Sequence, residues 1–362
     1  MRRLINNYPD TAESVQKPRN SGFEDKLIRD CPVSGVGRTA VSLGNFDGLH
    51  LGHMTLVTAL TRRASELGLP AVIYTFHEHP QNVLDGENGV KLLIDRQKKL
   101  ELLSATGVDG VYFEHFDREF AAMAPEDFIK RILVDGFGAR LVAVGSNYRF
   151  GRRGSGDVGT LRKYGDKYGF LVEEVKPLMV CDHGGITAGR RIISSSYIRE
   201  LLAACRVDTA GRALGRLFSM RGTAAPDNKP LLCADAAPGI TALPMDTDTR
   251  TVRLITMDTD TRTTRLVTMD TDTRITRLVT MDAGTRKARP IIVNTDERMA
   301  SPGPGVYVTS TRVGGGMYRG YTRIVDDADD ARAINYVFDF KDNLHEAEIE
   351  IFFYHTTSSK VH

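Results

Sequence analysis

Cysteine, net charge and long apolar runs are all scarce in this chain of 362 residues, and each shortage excludes a class of protein. The four cysteines, Cys31, Cys181, Cys205 and Cys233, stand singly, so neither a disulfide framework nor a zinc site of paired cysteines is expected. The 48 Lys and Arg residues nearly balance the 46 Asp and Glu residues, which provides no charged surface for nucleic acid or an anionic membrane. No apolar run approaches the roughly 20 residues of a membrane span, and the N-terminus lacks the apolar stretch of a secretory signal. We therefore expect a cytoplasmic protein without nucleic-acid or membrane partners.

The length predicts two domains. Residues 1–37 are polar and aperiodic, and we expect them to form an N-terminal arm. Strand-like and helix-like segments alternate from Val41 to about Ala204, which favours an α/β domain over residues 38–216 with a parallel sheet and right-handed crossovers. Residues 305–354 alternate polar and apolar positions at hairpin spacing, which predicts that residues 217–362 form a small antiparallel β-barrel-like domain. Tandem 12-residue repeats occupy residues 245–292 and are expected to be an insertion in that domain.

Strands of the first domain are predicted at its short apolar runs, and helices where apolar residues recur every three or four positions. The predicted strands are 40–44, 71–76, 108–113, 140–145 and 170–175. The predicted helices are 53–68, which Gly68 ends, 92–106 and 125–137, which Pro125 opens. Ligands bind at the carboxyl ends of parallel strands, so the candidate site segments are 44–53, 77–80 and 146–151.

The segment from Val41 to His53 carries the strongest functional signal. It reads as a strand, a glycine-bearing turn and a helix start with His50 and His53. Backbone N–H groups and the helix dipole favour an anion at such a helix start, and two imidazoles three residues apart can donate hydrogen bonds to it. The pattern is typical of adenylyl transfer, in which a phosphate oxygen attacks the α-phosphorus of ATP and pyrophosphate leaves. Such a transfer depends on positioning and charge neutralisation.

Another histidine-rich segment, Tyr74 to Pro80, ends the second predicted strand. His77 and His79 could ligate a metal together with the histidines of the first segment. No carboxylate-rich frame accompanies them, so a substrate loop shaped by His79 and Pro80 is favoured instead.

Two later segments each allow a structural and a functional interpretation. Residues 145–151 directly follow a strand and form either an ordinary turn or a nucleotide contact through Asn147. Residues 193–199 form either a serine-rich helix cap or a phosphate site in which the hydroxyls act with Arg199.

In this order, the four segments resemble the FAD synthetase (FMN adenylyltransferase) module of the bacterial bifunctional riboflavin kinase/FAD synthetase family, over about residues 38–218. The family's GxFDGxHxGH falls on Gly44 to His53, and its TFxPHP falls on Thr75 to Pro80 with Glu78 at the first proline. Its G(D/N)FxFG falls on Gly145 to Gly151, and its SSTxIR on Ser194 to Arg199. The resemblance implies a Rossmann-like nucleotidyltransferase domain that transfers AMP from ATP, with Mg²⁺, to FMN and releases FAD and pyrophosphate.

The resemblance also implies roles for individual residues. The implied catalytic residues are His50, His53, Asn147 and Arg199. The implied nucleotide- and FMN-binding residues are Gly44, Asn45, Phe46, Asp47, Gly48, Gly52, Thr75, His79, Pro80, Arg149, Ser195 and Ser196. It implies no protein ligand for a metal. Transfer to another acceptor, such as a pantetheine or nicotinate nucleotide, is the rival activity, and segments 74–80 and 145–151 argue against it.

The C-terminal domain resembles a degenerate copy of the family's riboflavin kinase module. Its opening Phe218 to Gly222 and its late Phe338 to Leu344 match family strands, but the glycine-rich stretch and the Pro-Thr-Ala-Asn motif are missing. The family's catalytic glutamate lies five residues before the aspartate of an Asp-Phe pair, and this position here is Ile334, which cannot act as a base. We therefore expect riboflavin kinase activity to be lost or weak. A fully bifunctional enzyme and a flavin-sensing protein with a vestigial pocket are the alternatives.

Each repeat in residues 245–292 combines a strand-like half with a turn-like Asp-Thr-Asp-Thr half. The paired aspartates could bind Ca²⁺, although the glycines and further ligands of calcium loops are missing. The repeats could instead be a tandem duplication tolerated as an exposed hairpin or loop. Their strand edges could also support self-association.

Overall fold

The computed structural model describes residues 38–86, 89–182, 189–224, 251–258, 263–270, 276–279, 288–327, 330–338, 340 and 347–356. The predicted N-terminal arm lies outside these residues. The chain divides into two compact units, and the main boundary falls between Leu217 and Phe218. Residues 205–208 belong to the second unit, and residues 297–301 belong to the first.

Parallel strands form the central sheet of the first unit. They are β1 Thr39–Leu43, β2 Ala71–Phe76, β3 Gly110–Glu114, β4 Ala139–Gly145 and β5 Leu171–Val175. Their order in the sheet is β3-β2-β1-β4-β5. The strand order reverses between β1 and β4, and ligands of such sheets bind beyond the carboxyl ends at this reversal. The predicted α/β fold with a parallel sheet is therefore confirmed, and the turn after β1 lies at the expected site.

Helices supply the apolar groups that cover the sheet. They are α1 Leu51–Leu67, α2 Pro80–Asp85, α3 Arg96–Ser104, α4 Arg118–Ala121, α5 Pro125–Asp127 with its π-helical continuation Phe128–Gly136, α6 Val158–Tyr168, α7 Ser195–Ala203 and α8 Val207–Leu214. Successive strand residues face opposite sides of a sheet, so Ile73 packs with Leu60 of α1 while Tyr74 packs with Leu133 of the π-helical stretch. None of the helices in the described ranges is long and apolar enough to span a membrane.

The first unit also contains a small second sheet and a 3₁₀ turn. A short two-stranded sheet, β6 Met179–Asp182 and β7 Gly189–Ile192, precedes α7, and a 3₁₀ turn covers Arg152–Gly154. Helix α1 begins two residues earlier than predicted, and it ends as predicted at Gly68, whose φ of 62° is left-handed.

The second unit contains a closed antiparallel barrel. Its strands are β8 Phe218–Ala224, β12 Ala288–Thr295, β13 Gly305–Val313, β14 Gly316–Asp327, β15 Asp330–Phe338 and β16 Glu348–Thr356. They follow one another around the barrel in the order β12-β15-β14-β13-β16-β8. Tyr307, Ile351 and Phe353 are fully buried in it. The predicted β-barrel is confirmed.

The strand-like halves of the repeats form a separate three-stranded antiparallel sheet, with β10 Thr263–Asp270 between β9 Thr251–Asp258 and β11 Thr276–Val279. Residues 259–262 and 271–275, which connect these strands in the sequence, lie outside the described residues. Of the paired aspartates expected as calcium ligands, Asp258 and Asp270 end β9 and β10, whereas Asp246, Asp248, Asp260 and Asp272 lie outside the described residues. Self-association through the strand edges stays a prediction.

Candidate active site

The turn between β1 and α1, residues 44–50, has a strained and buried backbone. Phe46 and Leu49 have φ angles of 48° and 39° although neither is glycine, and both side chains are buried. Gly48, with φ of 82°, has no room for a Cβ atom, which would lie 2.7 Å from Leu93 Cδ1. Side chains rarely adopt such angles unless their surroundings hold them, and strain of this kind concentrates at functional sites.

Asp47 anchors this turn to distant parts of the chain. Its buried carboxylate accepts hydrogen bonds from the backbone N–H groups of Leu93 (2.9 Å) and Ile94 (3.4 Å) and pairs with the Arg199 guanidinium. The Ser195 hydroxyl donates to the Asp47 carbonyl at 2.8 Å. Burial raises the pKa of Asp47, and the nearby Arg199 charge opposes that rise. Two of the predicted site segments therefore meet at this aspartate.

Three further donors fix the carbonyl groups of the turn. Arg216 donates to the carbonyls of Gly48 (2.7 Å) and Leu49 (3.2 Å). Lys99 and the hydroxyl of Thr75 both donate to the Asn45 carbonyl, at 2.8 and 3.1 Å. Cationic side chains therefore surround the turn that precedes the helix start.

His50 and His53 form a stacked pair at the N-terminus of α1. Their ring centroids are 3.7 Å apart, and the rings are inclined by 14°. His50 is the N-cap, because its Nδ1 accepts the backbone N–H of His53 at 3.2 Å. A neutral His50 must then carry its proton on Nε2, which leaves an N–H donor for a ligand. Gly52 permits this arrangement, since a Cβ there would lie 3.1 Å from His50 Nδ1 and 3.2 Å from the Ile193 carbonyl.

Burial decides the charge of this histidine pair. It lowers the pKa of His50 to about 4 and the pKa of His53 to well below its usual value. Both rings are therefore neutral near pH 7, and they offer N–H donors without positive charge. His53 Nδ1 is buried without a hydrogen-bond partner in the described part of the chain. Buried polar atoms usually have a partner, so this atom is a candidate to bind a ligand.

The segment after β2 lies beside this turn. His79 is the N-cap of α2, where its Nδ1 accepts the N–H of Gln81 at 3.3 Å, and burial lowers its pKa to about 4. His77 stacks on His115 with centroids 4.3 Å apart. Among the residues that the structure describes, no group of three or more His, Cys, Asp or Glu is placed to hold a metal ion.

A cavity of about 630 Å³ adjoins the turn, within the range of small-molecule sites. We call it the aromatic cavity because its walls include Phe76, Phe116, Phe120, Phe128, Tyr148 and Phe150. Four arginines also line it: Arg118, Arg149, Arg152 and Arg153. Asn45 and Pro80 belong to the same wall, so the aromatic cavity touches both the turn and the start of α2.

Some predicted site residues do not face this space. Phe46 and Thr75 are fully buried, the former in the core and the latter behind Asn45. Asn147 is exposed on the turn after β4 and does not line the aromatic cavity, although Tyr148 and Arg149 do. Ser194 caps α7 by accepting the N–H of Tyr197 at 3.2 Å. The catalytic and binding roles assigned to these residues stay predictions.

Sequence reasoning missed Lys99, Arg216 and most of the aromatic wall. For Lys99 the signal is its spacing. It stands four positions before Leu103, on the same face of α3, and both are buried there, where an apolar residue is expected. Arg216 and the aromatic residues left no signal, because their contacts are made across the fold.

Comparison with known proteins agrees with this geometry. Residues 35–188 match the family model described as FAD synthetase. Over this stretch the chain is similar to FAD synthetases. The FAD synthetase match ends before α7, which contributes Ser195 and Arg199 to the same site.

Curated relatives extend the match over about half of the chain. The bifunctional riboflavin kinase/FMN adenylyltransferase of Escherichia coli strain K12 is 33% identical over 203 residues, 54% of this chain and 61% of the relative. The Haemophilus influenzae and Buchnera aphidicola (Schizaphis graminum) proteins of the same name are 32% and 31% identical, over 52% and 53% of this chain and 59% of each relative. The chain thus spans about three-fifths of the length of the curated relatives it matches.

A solved structure shares the fold over a longer stretch. The crystal structure of a macrolide-efflux protein from Streptococcus pneumoniae matches with a TM-score of 0.62 and 21% identity, over 91% of this chain and 89% of that one. At this identity the match concerns the fold alone.

Proposed function

We propose that this chain is an FMN adenylyltransferase, which converts FMN and MgATP to FAD and pyrophosphate. One observation carries the proposal. The turn that leads into the histidine-bearing helix start also contributes Asn45 to the wall of the aromatic cavity. A flavin ring system needs a large aromatic pocket, and a phosphate chain needs donors and cations. The sequence match to FAD synthetases supports the same conclusion.

The chemistry is a single adenylyl transfer, which is a displacement at the α-phosphorus of ATP. An oxygen of the FMN phosphate forms a bond to the α-phosphorus of ATP while the bond from that phosphorus to the bridging oxygen breaks, and pyrophosphate leaves with those electrons. The enzyme has little covalent work to do, so positioning and charge stabilisation dominate. The His50 Nε2–H, the His53 imidazole and the N-terminal N–H groups of α1 would donate to phosphate oxygens.

The flavin would occupy the aromatic cavity. Phe120, Phe128 and Tyr148 would contact the ring system, and the arginines of the wall would attract the FMN phosphate. Arg149 is paired with Asp157 at 3.3 Å in an exposed position, so it can exchange that partner for phosphate at little cost. Arg199 is held by Asp47 and by the Lys91 carbonyl, so it would stabilise the charge of the triphosphate from that fixed position.

We also propose that the chain has lost riboflavin kinase activity. The support is the position expected for the catalytic glutamate, where β15 carries the half-buried Ile334. Its neighbour Asn335 points to the other side of the strand and is bonded within the barrel to Thr311 and Thr322. An aliphatic side chain at this position cannot accept the proton of a riboflavin hydroxyl.

One assay tests both proposals. FMN and riboflavin are offered separately with MgATP, and the flavins are separated by chromatography. FAD from FMN, with pyrophosphate in equal amount, supports the adenylyltransferase. FMN or FAD from riboflavin at an ordinary rate would overturn the loss of the kinase and favour the bifunctional enzyme. Flavin binding without any FAD would instead favour the flavin-sensing protein.

A matched pair of variants ties the activity to the site. His53→Ala should lower the rate of FAD formation by about a hundredfold or more, which is the usual cost of losing a preorganised phosphate donor. Thr58→Ala on the exposed face of the same helix should leave the rate unchanged. Equal rates in the two variants would remove His53 from the mechanism.

A further inference from the structure

Lys99 is a buried cation whose hydrogen-bond partners are both neutral. The residue is 9% exposed, and its Nζ donates to the Asn45 carbonyl at 2.8 Å and to the Thr75 hydroxyl at 3.3 Å. Asp47 acts on it electrostatically, but the Asp47 carboxylate is engaged by Arg199. Within the described part of the chain, no ion pair involves Lys99 directly.

A buried charge without a paired counter-charge is unfavourable. Burial lowers the pKa of Lys99 to about 8, which still leaves the ammonium form dominant at neutral pH. An apolar residue would serve the core better at this position of α3. The Asp47 carboxylate favours the charge but does not pair with it, so the ammonium can interact with a further anion.

The surroundings of Lys99 indicate where an anion would bind. It lines a narrow pocket with Asn45, His77, His79 and Arg96. The free volume there is about 30 Å³, which is enough for a water-sized group such as a phosphate oxygen. The pocket shares Asn45, Phe76 and Pro80 with the aromatic cavity. The charge of Lys99 also acts on His53 and lowers its pKa, so the ammonium lies near the helix start where the ATP phosphates are proposed to bind.

An ammonium group has three N–H donors, and two of those of Lys99 are used. We propose that Lys99 binds an oxygen of the ATP phosphate chain with its third donor. This inference rests on the proposed function. It assigns to Lys99 a direct contact with the nucleotide, in addition to its bond to the turn.

Steady-state kinetics of FAD formation test this assignment. Lys99→Met keeps the length of the side chain and removes the charge. It should raise the KM for ATP about tenfold or more, as loss of one charge-assisted hydrogen bond does, and leave the KM for FMN within about twofold. Lys130→Met, at an exposed lysine of the π-helical stretch, is the matched control and should change neither constant.

Direct binding separates a ligand contact from a structural role. Inorganic tripolyphosphate should bind wild-type protein in calorimetry and bind Lys99→Met about tenfold more weakly or not at all. Lys99→Gln retains an N–H donor for the Asn45 carbonyl but no charge, so it should behave like Lys99→Met. Lys99→Gln decides the question if Lys99→Met fails to fold by circular dichroism.

The two proposals fail in different ways. Wild-type protein that makes no FAD from FMN and ATP would overturn the proposed function. Wild-type protein that makes FAD, with an unchanged KM for ATP and unchanged tripolyphosphate binding in a folded Lys99→Gln variant, would overturn the role of Lys99.

Discussion

Replacing Asp47 by asparagine should destabilise the α/β unit strongly, because it breaks a buried ion pair. The side chains of Asp47 and Arg199 are 4% and 18% exposed. Removing one partner of such a pair usually costs about 3–5 kcal/mol, since the other charge stays buried without compensation. Arg199 keeps its bond to the Lys91 carbonyl at 2.6 Å, and the introduced side-chain amide can still accept from the Leu93 N–H, so we expect the lower end, about 3 kcal/mol. For a unit of this size that lowers the Tm by about 6–12 °C.

Urea unfolding of the full chain measures this loss. The helices lie almost wholly in the first unit, so the helical circular dichroism signal follows its unfolding; tryptophan fluorescence offers nothing, because the chain contains no tryptophan. Asp135→Asn is the matched control, since the Lys130–Asp135 pair is 46% and 51% exposed and should contribute less than about 1 kcal/mol.

A double-mutant cycle then isolates the pair itself. Arg199→Met should cost much less in the Asp47→Asn background than in the wild type, with a coupling of about 2 kcal/mol or more. A loss below about 1 kcal/mol for Asp47→Asn, or a coupling near that of an exposed pair, would refute the view that this ion pair holds the turn in its strained shape.

Three further predictions concern protonation and close packing. The pKa of His50 is about 4 in the fold and 6.5 when unfolded, so the unfolded state binds more protons between those values. Acidification from pH 7 to 5 should therefore lower the free energy of unfolding of the wild type by about 2 kcal/mol more than that of His50→Asn, which keeps the cap. Urea unfolding at each pH measures this, and an equal loss in both proteins would contradict it. Gly52→Ala would place a Cβ atom 3.1 Å from His50 Nδ1. It should therefore lower the kcat of FAD formation while the Tm changes little. Gly151→Ala would meet Pro125 N at 2.9 Å with φ of 69°, and should raise the KM for FMN and cost about 2 kcal/mol; an unchanged KM would separate this turn from the flavin.

Much of the fold could be read along the chain because its signals are local. The apolar runs predicted all five strands of the parallel sheet to within two residues at each end, and Gly68 marked the end of α1. The alternation after residue 300 predicted the barrel. The start of α1 was placed too late because His50, rather than a hydroxyl or acidic residue, is the N-cap.

The candidate site was predictable only where its residues form continuous motifs. The segment from Gly44 to His53 and the residues around Ser195 and Arg199 are brought together at Asp47, as their shared chemistry suggests. The position of Asn147, exposed outside the wall of the aromatic cavity, does not follow from its motif.

The sequence by itself determined where the strands, the helices and the turn after β1 lie, since hydrophobic periodicity, caps and glycines act within a few residues. The tertiary structure alone decided what holds that turn and which groups in it are charged. Arg199 reaches Asp47 across 152 positions, and Arg216 reaches Gly48 across 168. The neutral state of His50 and the lowered pKa of Lys99 arise from burial, which is a property of the whole fold and of no segment within it.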